Sequence, residues 1–143
     1  MKTCMNCSVA LTSAWGTKSV SKYCSVTCQQ AKQHSDYIER WKSGCESGKK
    51  GLTGVSSHIR RYIHEKYEGK CCKCGWNQKN PVTGKAPLDI SHKNGDWRDN
   101  SEENLELICP NCHALEPTFK ALNKGKGRYT VAGVVNPGNN KRK

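Results

Sequence analysis

The chain has 143 residues, 34% of them hydrophobic, with one phenylalanine, ten cysteines and a formal net charge of +12. This length admits one or two small domains, and so thin an apolar content needs something besides hydrophobic burial to hold a fold together. No apolar run approaches the roughly 18 residues of a membrane span, and the opening Met1-Lys2-Thr3-Cys4 has no apolar signal-peptide core, so neither a membrane partner nor secretion is expected. Eight of the ten cysteines fall in close pairs, which fits thiolate metal sites in a reducing, cytoplasmic setting better than a disulfide scaffold. Charge is uneven: residues 1–56 carry a net +5, residues 57–116 are neutral and residues 117–143 carry +7. Two four-thiolate zinc sites would subtract about four charges. Two basic arms then flank a neutral middle, a pattern suited to gripping a polyanion, nucleic acid first.

In chain order, residues 1–42 read as a zinc finger followed by a helix at Gln29–Lys42, with Ala31, Ile38 and Trp41 apolar and Tyr37 beside them. Residues 43–57 are rich in glycine and serine, a composition that predicts a flexible link unable to pack a core. Ser56 or Ser57 can cap a second helix, His58–Tyr67, whose Ile59, Tyr62 and Ile63 form a core face while Arg60 and Arg61 lie on another. His58 and His64 are six apart, share no helix face, and read as surface residues. From Lys70 the pattern breaks into short pieces: a turn-rich Asn77–Pro87, a strand Leu88–His92, the Asn94-Gly95 turn, a strand Leu105–Ile108 and a helix from about Asn111 to Asn123. Residues 58–123 make the second domain. Residues 124–143 form a basic, glycine-rich tail that should be disordered without a partner, apart from a candidate strand at Tyr129–Val135.

Two constellations of cysteine stand out. Cys4-x2-Cys7-x16-Cys24-x3-Cys28 offers four soft ligands from two short-spaced pairs, as a closed structural zinc site needs. Cys71-x2-Cys74 and Cys109-x2-Cys112, separated by 34 residues, offer the same a second time and tie Lys70 to the start of the last helix. Two structural Zn²⁺ are therefore expected, in a small zinc-stabilised α+β fold. Cys45 and Cys72 are left over as free thiols.

His92 and Asn104 lie between these two knuckles and His113 directly follows the second, within CKCGWNQKNPVTGKAPLDISHKNGDWRDNSEENLELICPNCHALEPTFKALNKGKG. The stretch from Ile59 through Lys126 resembles the HNH endonuclease family, in particular its free-standing phage-type members with a Cys-x2-Cys knuckle on each side of the motif. CMNC with YCSVTC resembles the extra zinc finger often attached to these enzymes. The resemblance implies a ββα-metal (His-Me finger) core. In it His92 would take a proton from the attacking water, Asn104 would hold the loop between the strands, and His113 would bind one catalytic divalent metal, Mg²⁺, Mn²⁺ or Ni²⁺. The chemistry asks independently for these types: phosphodiester hydrolysis needs a base that titrates near neutrality and a cation for the developing charge. Cys112 and His113 are consecutive on a helix, so one can face the zinc while the other faces the site.

The chain departs from the family at Ser91, where most relatives carry an Asp or His as a metal ligand. Asp89, on the same strand face, or Asp96, in the turn, could supply the missing charge. Candidate phosphate contacts are Arg60, Arg61, Lys93, Arg98, Lys120, Lys124, Lys126 and Arg128. The reading is a metal-dependent endonuclease acting on double-stranded DNA, by nicking or double-strand cutting, in a bacterial or phage-infected cytoplasm. No heptads or apolar patch signal a dimer, so a monomer and a weak dimer both stay open. The alternative is a non-catalytic zinc-finger nucleic-acid-binding protein derived from such a nuclease.

Overall fold

Cysteine spacing, more than apolar content, shapes the first of two units in the computed structural model, which describes residues 1–11 and 21–123. The units are Met1–Glu46 and Ser47–Lys143. In the first, a bridge between Thr3 and Ala10 folds the chain around Cys4 and Cys7, and the Cys4 N–H donates to the Val9 carbonyl at 2.8 Å. Helix α1, Val26–Lys42, follows. It starts three residues earlier than its apolar pattern suggests, because Ser25 caps it by accepting from the Cys28 N–H at 3.2 Å, which places Cys28 in the first turn. Arg40 and Lys42 suit the negative end of its dipole. Gly44 ends it at φ +81°, where the Cys45 N–H reaches back to the Arg40 carbonyl at 2.8 Å. Ile38 and Trp41, three apart on one face, are the buried apolar residues of α1.

The second unit begins at Ser47. The stretch expected as a flexible link holds an antiparallel hairpin, β1 at Lys49–Lys50 and β2 at Gly54–Val55. Its glycines serve the turn, while Val55 is only 2% exposed and anchors the hairpin to the core. Ser56 then caps helix α2, Ser57–Lys66, accepting from the His58 N–H at 3.3 Å. Ile59 and Ile63 are fully buried. Tyr62 is only partly buried, and its hydroxyl donates to Glu102 at 2.7 Å, beside Lys66, whose ammonium reaches the same carboxylate oxygen at 2.8 Å. These bonds pin α2 to the 3₁₀ turn Glu102–Asn104 that leads into the next sheet.

That sheet is the antiparallel pair β3, Asp89–His92, and β4, Leu105–Ile108, with Asp89 opposite Ile108, Ser91 opposite Glu106 and His92 opposite Leu105. Every residue of β4 is buried. Helix α3, Pro110–Ala114, completes a strand–strand–helix unit. It is far shorter than the helix expected over Asn111–Asn123. Pro117 cannot donate, and in a continued helix its ring would strike the His113 carbonyl, so the chain leaves helical geometry at Leu115 and forms only a 3₁₀ turn at Lys120–Leu122. The tail 124–143, with its candidate strand, lies outside the described residues. Among the described residues no helix is long and apolar enough to cross a membrane.

The β3–β4 loop is held against the segment after α3. Gly95 sits at φ +73°, and a Cβ there would lie 2.6 Å from Asn123 Oδ1 and 2.9 Å from Thr118. Asn123 Nδ2 also donates to the Gly95 carbonyl at 2.7 Å. Gly95→Ala meets both a left-handed backbone and an occupied space, and should destabilise this unit by about 1–3 kcal/mol. Urea titration of the two proteins checks this, and an unchanged midpoint would mean that the loop tip yields freely.

Candidate functional site

Each four-cysteine group is closed by its backbone. Cys4, Cys7, Cys24 and Cys28 bring their sulfur atoms within 4.8 Å of one another, as do Cys71, Cys74, Cys109 and Cys112. Sγ–Sγ distances of 3.6 Å (Cys7–Cys24), 3.4 Å (Cys24–Cys28) and 3.7 Å (Cys74–Cys109) are too long for disulfides and close to the edge, about 3.8 Å, of a tetrahedral zinc–thiolate site. The backbone N–H of Cys7, then that of Asn6, offsets burial and lowers the Cys4 thiol to about 6. Burial opposes the same shift at Cys71, but the N–H groups of Cys109, Cys74 and Lys73 bring it to about 6 as well. Hydrogen bonds to neighbouring cysteine sulfurs push Cys24 and Cys112 up to about 12, so each cluster holds thiolate and thiol together, and binding zinc would release the remaining protons. Both groups could hold zinc, and the small mixed helix-and-sheet architecture is consistent with a zinc-stabilised α+β fold.

The loop from Lys93 to Asn104 is built on side-chain amides. Asn104, 8% exposed, accepts from the Asn94 N–H at 3.0 Å and donates to Asn94 Oδ1 at 3.0 Å and to the Asp99 carbonyl at 2.8 Å. Asp99 in turn accepts from the Ser101 hydroxyl at 2.7 Å, from the Ser101 N–H at 3.2 Å and from Asn94 Nδ2 at 3.0 Å, and the Ser101 bonds hold its carboxyl below the usual range. His92 ends β3, 8% exposed, with Nε2 at 2.8 Å from Oδ1 of Asn100, itself 4% exposed. An amide oxygen accepts, so Nε2 carries the proton and Nδ1 is the basic nitrogen. The sequence reading missed Asn100. One asparagine among the many polar residues of this loop bears no local mark, and only the fold carries it eight residues back to His92.

Helix α3 presents the second histidine. Cys109 is its N-cap, with Sγ accepting from the Cys112 N–H at 3.4 Å, and the His113 N–H donates to the Cys109 carbonyl at 2.8 Å. His113 is thus bonded directly to the backbone of a cluster cysteine. Its Nδ1 lies 3.7 Å from Asp89 Oδ2, and Phe119 meets its ring edge-on at 5.3 Å. Asp89, Pro110, His113, Phe119 and Lys120 line an open pocket of about 360 Å³. Lys120 stands in a left-handed conformation, φ +47°, with its ammonium 4.9 Å from the Phe119 ring centre. At 3.7 Å the carboxylate oxygen and the imidazole nitrogen stand farther apart than the roughly 3.0 Å between adjacent ligands of an octahedral ion with bonds of about 2.1 Å, so a shared ion would draw the two side chains together. Among the described residues, the groups of three or more ligand-type side chains are the two cysteine clusters.

Ser91 is 6% exposed and directly opposite Glu106, which is 5% exposed, so an aspartate at position 91 would set two buried carboxylates against each other. Asp96 is engaged by Arg98 through Nε at 2.9 Å and Nη2 at 3.0 Å. Arg61 pairs with Glu65 at 2.8 Å and Lys93 donates to the Glu103 carbonyl at 2.8 Å, whereas Arg60 is exposed. Lys124, Lys126 and Arg128 lie outside the described residues. Cys72 donates to Glu106 Oε2 at 3.5 Å, and burial, followed by the Glu106 charge, pushes its thiol up to about 11. Lys73 pairs with buried Glu116 and lies 3.6 Å from Glu106 Oε1, tying the first knuckle to β4 and to the turn after α3. Cys45 is exposed.

An antiparallel hairpin followed by a short helix that begins on a cysteine knuckle, with one histidine closing the first strand and another on the helix, is the arrangement expected of an HNH core. Over 64 residues, 43% of the chain, the protein is 47% identical to the H-N-H endonuclease F-TflIV of Escherichia phage T5, and the match spans 25% of that protein. Over 91 residues, 64% of the chain, it is 32% identical to Zorya protein ZorE of Escherichia coli, spanning 20% of it. No protein-family model matches the chain, and no solved structure does. The chain is homologous to an HNH endonuclease, and this homology with the two four-cysteine groups fits a phage-type HNH protein.

Proposed function

We propose that the protein is a metal-dependent endonuclease that hydrolyses phosphodiester bonds in double-stranded DNA. The observation that carries this reading is the approach of His113 to Asp89, on a helix whose first turn belongs to a four-cysteine cluster. Homology to a named endonuclease supports it. A divalent ion held by Asp89 and His113, Mg²⁺, Mn²⁺ or Ni²⁺, would supply the positive charge that the developing phosphorane and the departing 3′-oxygen need.

The rest of the work falls to the chain's own groups. Nδ1 of His92 takes the proton of the attacking water, while Asn100 keeps the opposite nitrogen protonated and the ring oriented. Asn104 fixes the loop that carries Asn100, and Lys120 offers the pocket rim a cation for a phosphate oxygen. The four-cysteine cluster acts as a rigid mount for His113 in a unit with little apolar core. Two zinc ions, one in each cluster, fill structural roles, and thiolates of this kind suit a reducing cytoplasm.

With neutral Ser91 beside it, Asp89 is the carboxylate of the metal site, so hard Mg²⁺ is held less well than ions that imidazole favours. Duplex cleavage titrated with each metal is the test. Mn²⁺ or Ni²⁺ should activate at lower concentration than Mg²⁺, and Asp89→Ala should raise the metal requirement at least about tenfold. Identical metal dependence in Asp89→Ala and wild type would remove Asp89 from the site. Binding without cleavage under every metal would favour the alternative, a non-catalytic nucleic-acid-binding relative, for which neutral Ser91 is the supporting feature.

A further inference from the structure

The β1–β2 hairpin is fixed in place, cationic and open to solvent. One residue, Ser56, separates it from α2, and the Ser56 N–H donates to the Gly48 carbonyl at 2.8 Å, closing the hairpin's base. Val55 below is buried, whereas Lys49 and Lys50 are exposed and the tip residue Leu52 is 80% exposed. From Ser47 to His64 the chain holds Lys49, Lys50, Arg60 and Arg61 and no acidic residue. Elsewhere in this unit cations meet carboxylates: Lys66 with Glu102, Lys73 with Glu116, and Arg98 with Asp96. Lys49 and Lys50 meet none among the described residues. Lys49 instead sits 5.7 Å from the ring centre of Trp97, a residue of the same loop whose Asn100 bonds His92.

A hairpin bearing two exposed lysines without carboxylate partners, one of them over Trp97 of the loop that carries Asn100, has the properties of a phosphate-contacting element beside the reacting strand. We propose that Lys49 and Lys50 grip the DNA backbone next to the cleavage site, so that the segment works as a substrate clamp. This rests on the DNA reading above. It adds an element outside the strand–strand–helix core, and the contact is to phosphate and therefore independent of sequence.

The test is the affinity of the full chain for a short DNA duplex across a salt series, comparing wild type with Lys49→Gln/Lys50→Gln and Lys49→Arg/Lys50→Arg. Losing two phosphate contacts should make the slope of log affinity against log salt shallower by up to about 1.8 in the glutamine variant, and the arginine variant should keep the wild-type slope. Both positions are exposed, so the fold is retained. An unchanged slope in the glutamine variant overturns the clamp, and so does a wild-type chain that binds no duplex. A wild type that binds but cuts under no metal sinks the nuclease reading alone, since the slope comparison still decides the hairpin's role.

Discussion

His92→Ala should slow DNA cleavage by about 10²- to 10⁴-fold, the range for losing a general base, while duplex affinity stays near that of wild type. The separation follows from where each group acts. His92 is buried against Asn100 and, on the proposed reading, would contribute when water loses its proton, whereas ground-state affinity would come from exposed cations such as Lys49, Lys50 and Arg60. Single-turnover rates at saturating protein, measured beside an anisotropy titration, read the two quantities independently. A variant that still cuts at more than about a tenth of the wild-type rate would take His92 out of the base's role.

Cys109→Ser should have the broadest effect of any single change in the second unit. Cys109 is a cluster cysteine, the N-cap of α3, a buried neighbour of Ile108, and the carbonyl to which the His113 N–H is bonded. Losing its thiolate should release the metal and with it the folding free energy that metal binding supplies to so small a core. Elemental analysis should fall from about two zinc per chain to about one, and cleavage should disappear with the ordered His113. About one zinc in the wild type, with Cys71 and Cys74 freely alkylated in the native protein, would contradict the second cluster.

What could be read from the sequence follows the range over which each interaction acts. Cysteine pairs announce themselves because a knuckle is a local turn, and the same holds for the strand ending at His92 and the one beginning at Leu105, bounded by a turn and a knuckle. The hairpin at Lys49–Val55 was hidden because a glycine- and serine-rich composition describes both a flexible link and a tight turn. Only Val55, which the tertiary fold buries, tells them apart. The helix expected over Asn111–Asn123 runs through Pro117, the residue that forbids the next turn, and α3 is shorter for that reason. Asn100 and the Lys73 bridge to Glu116 stayed hidden for a different reason: their partners lie 8 and 43 residues away, and polar residues without periodicity carry no signal over such distances. Around Ser91 the family resemblance implies a missing charge, but only the register shows buried Glu106 standing opposite it.

Incubation of supercoiled plasmid with the purified chain and Mn²⁺, with the products separated and their ends mapped, reads out whether the chain hydrolyses DNA. The expected result is conversion to nicked or linear DNA, blocked by a chelator that strips Mn²⁺, with 3′-hydroxyl and 5′-phosphate ends, since water attacks phosphorus and the 3′-oxygen leaves. Plasmid that stays supercoiled with Mn²⁺, Mg²⁺ and Ni²⁺ alike, while the same protein retards it on a gel, would contradict it.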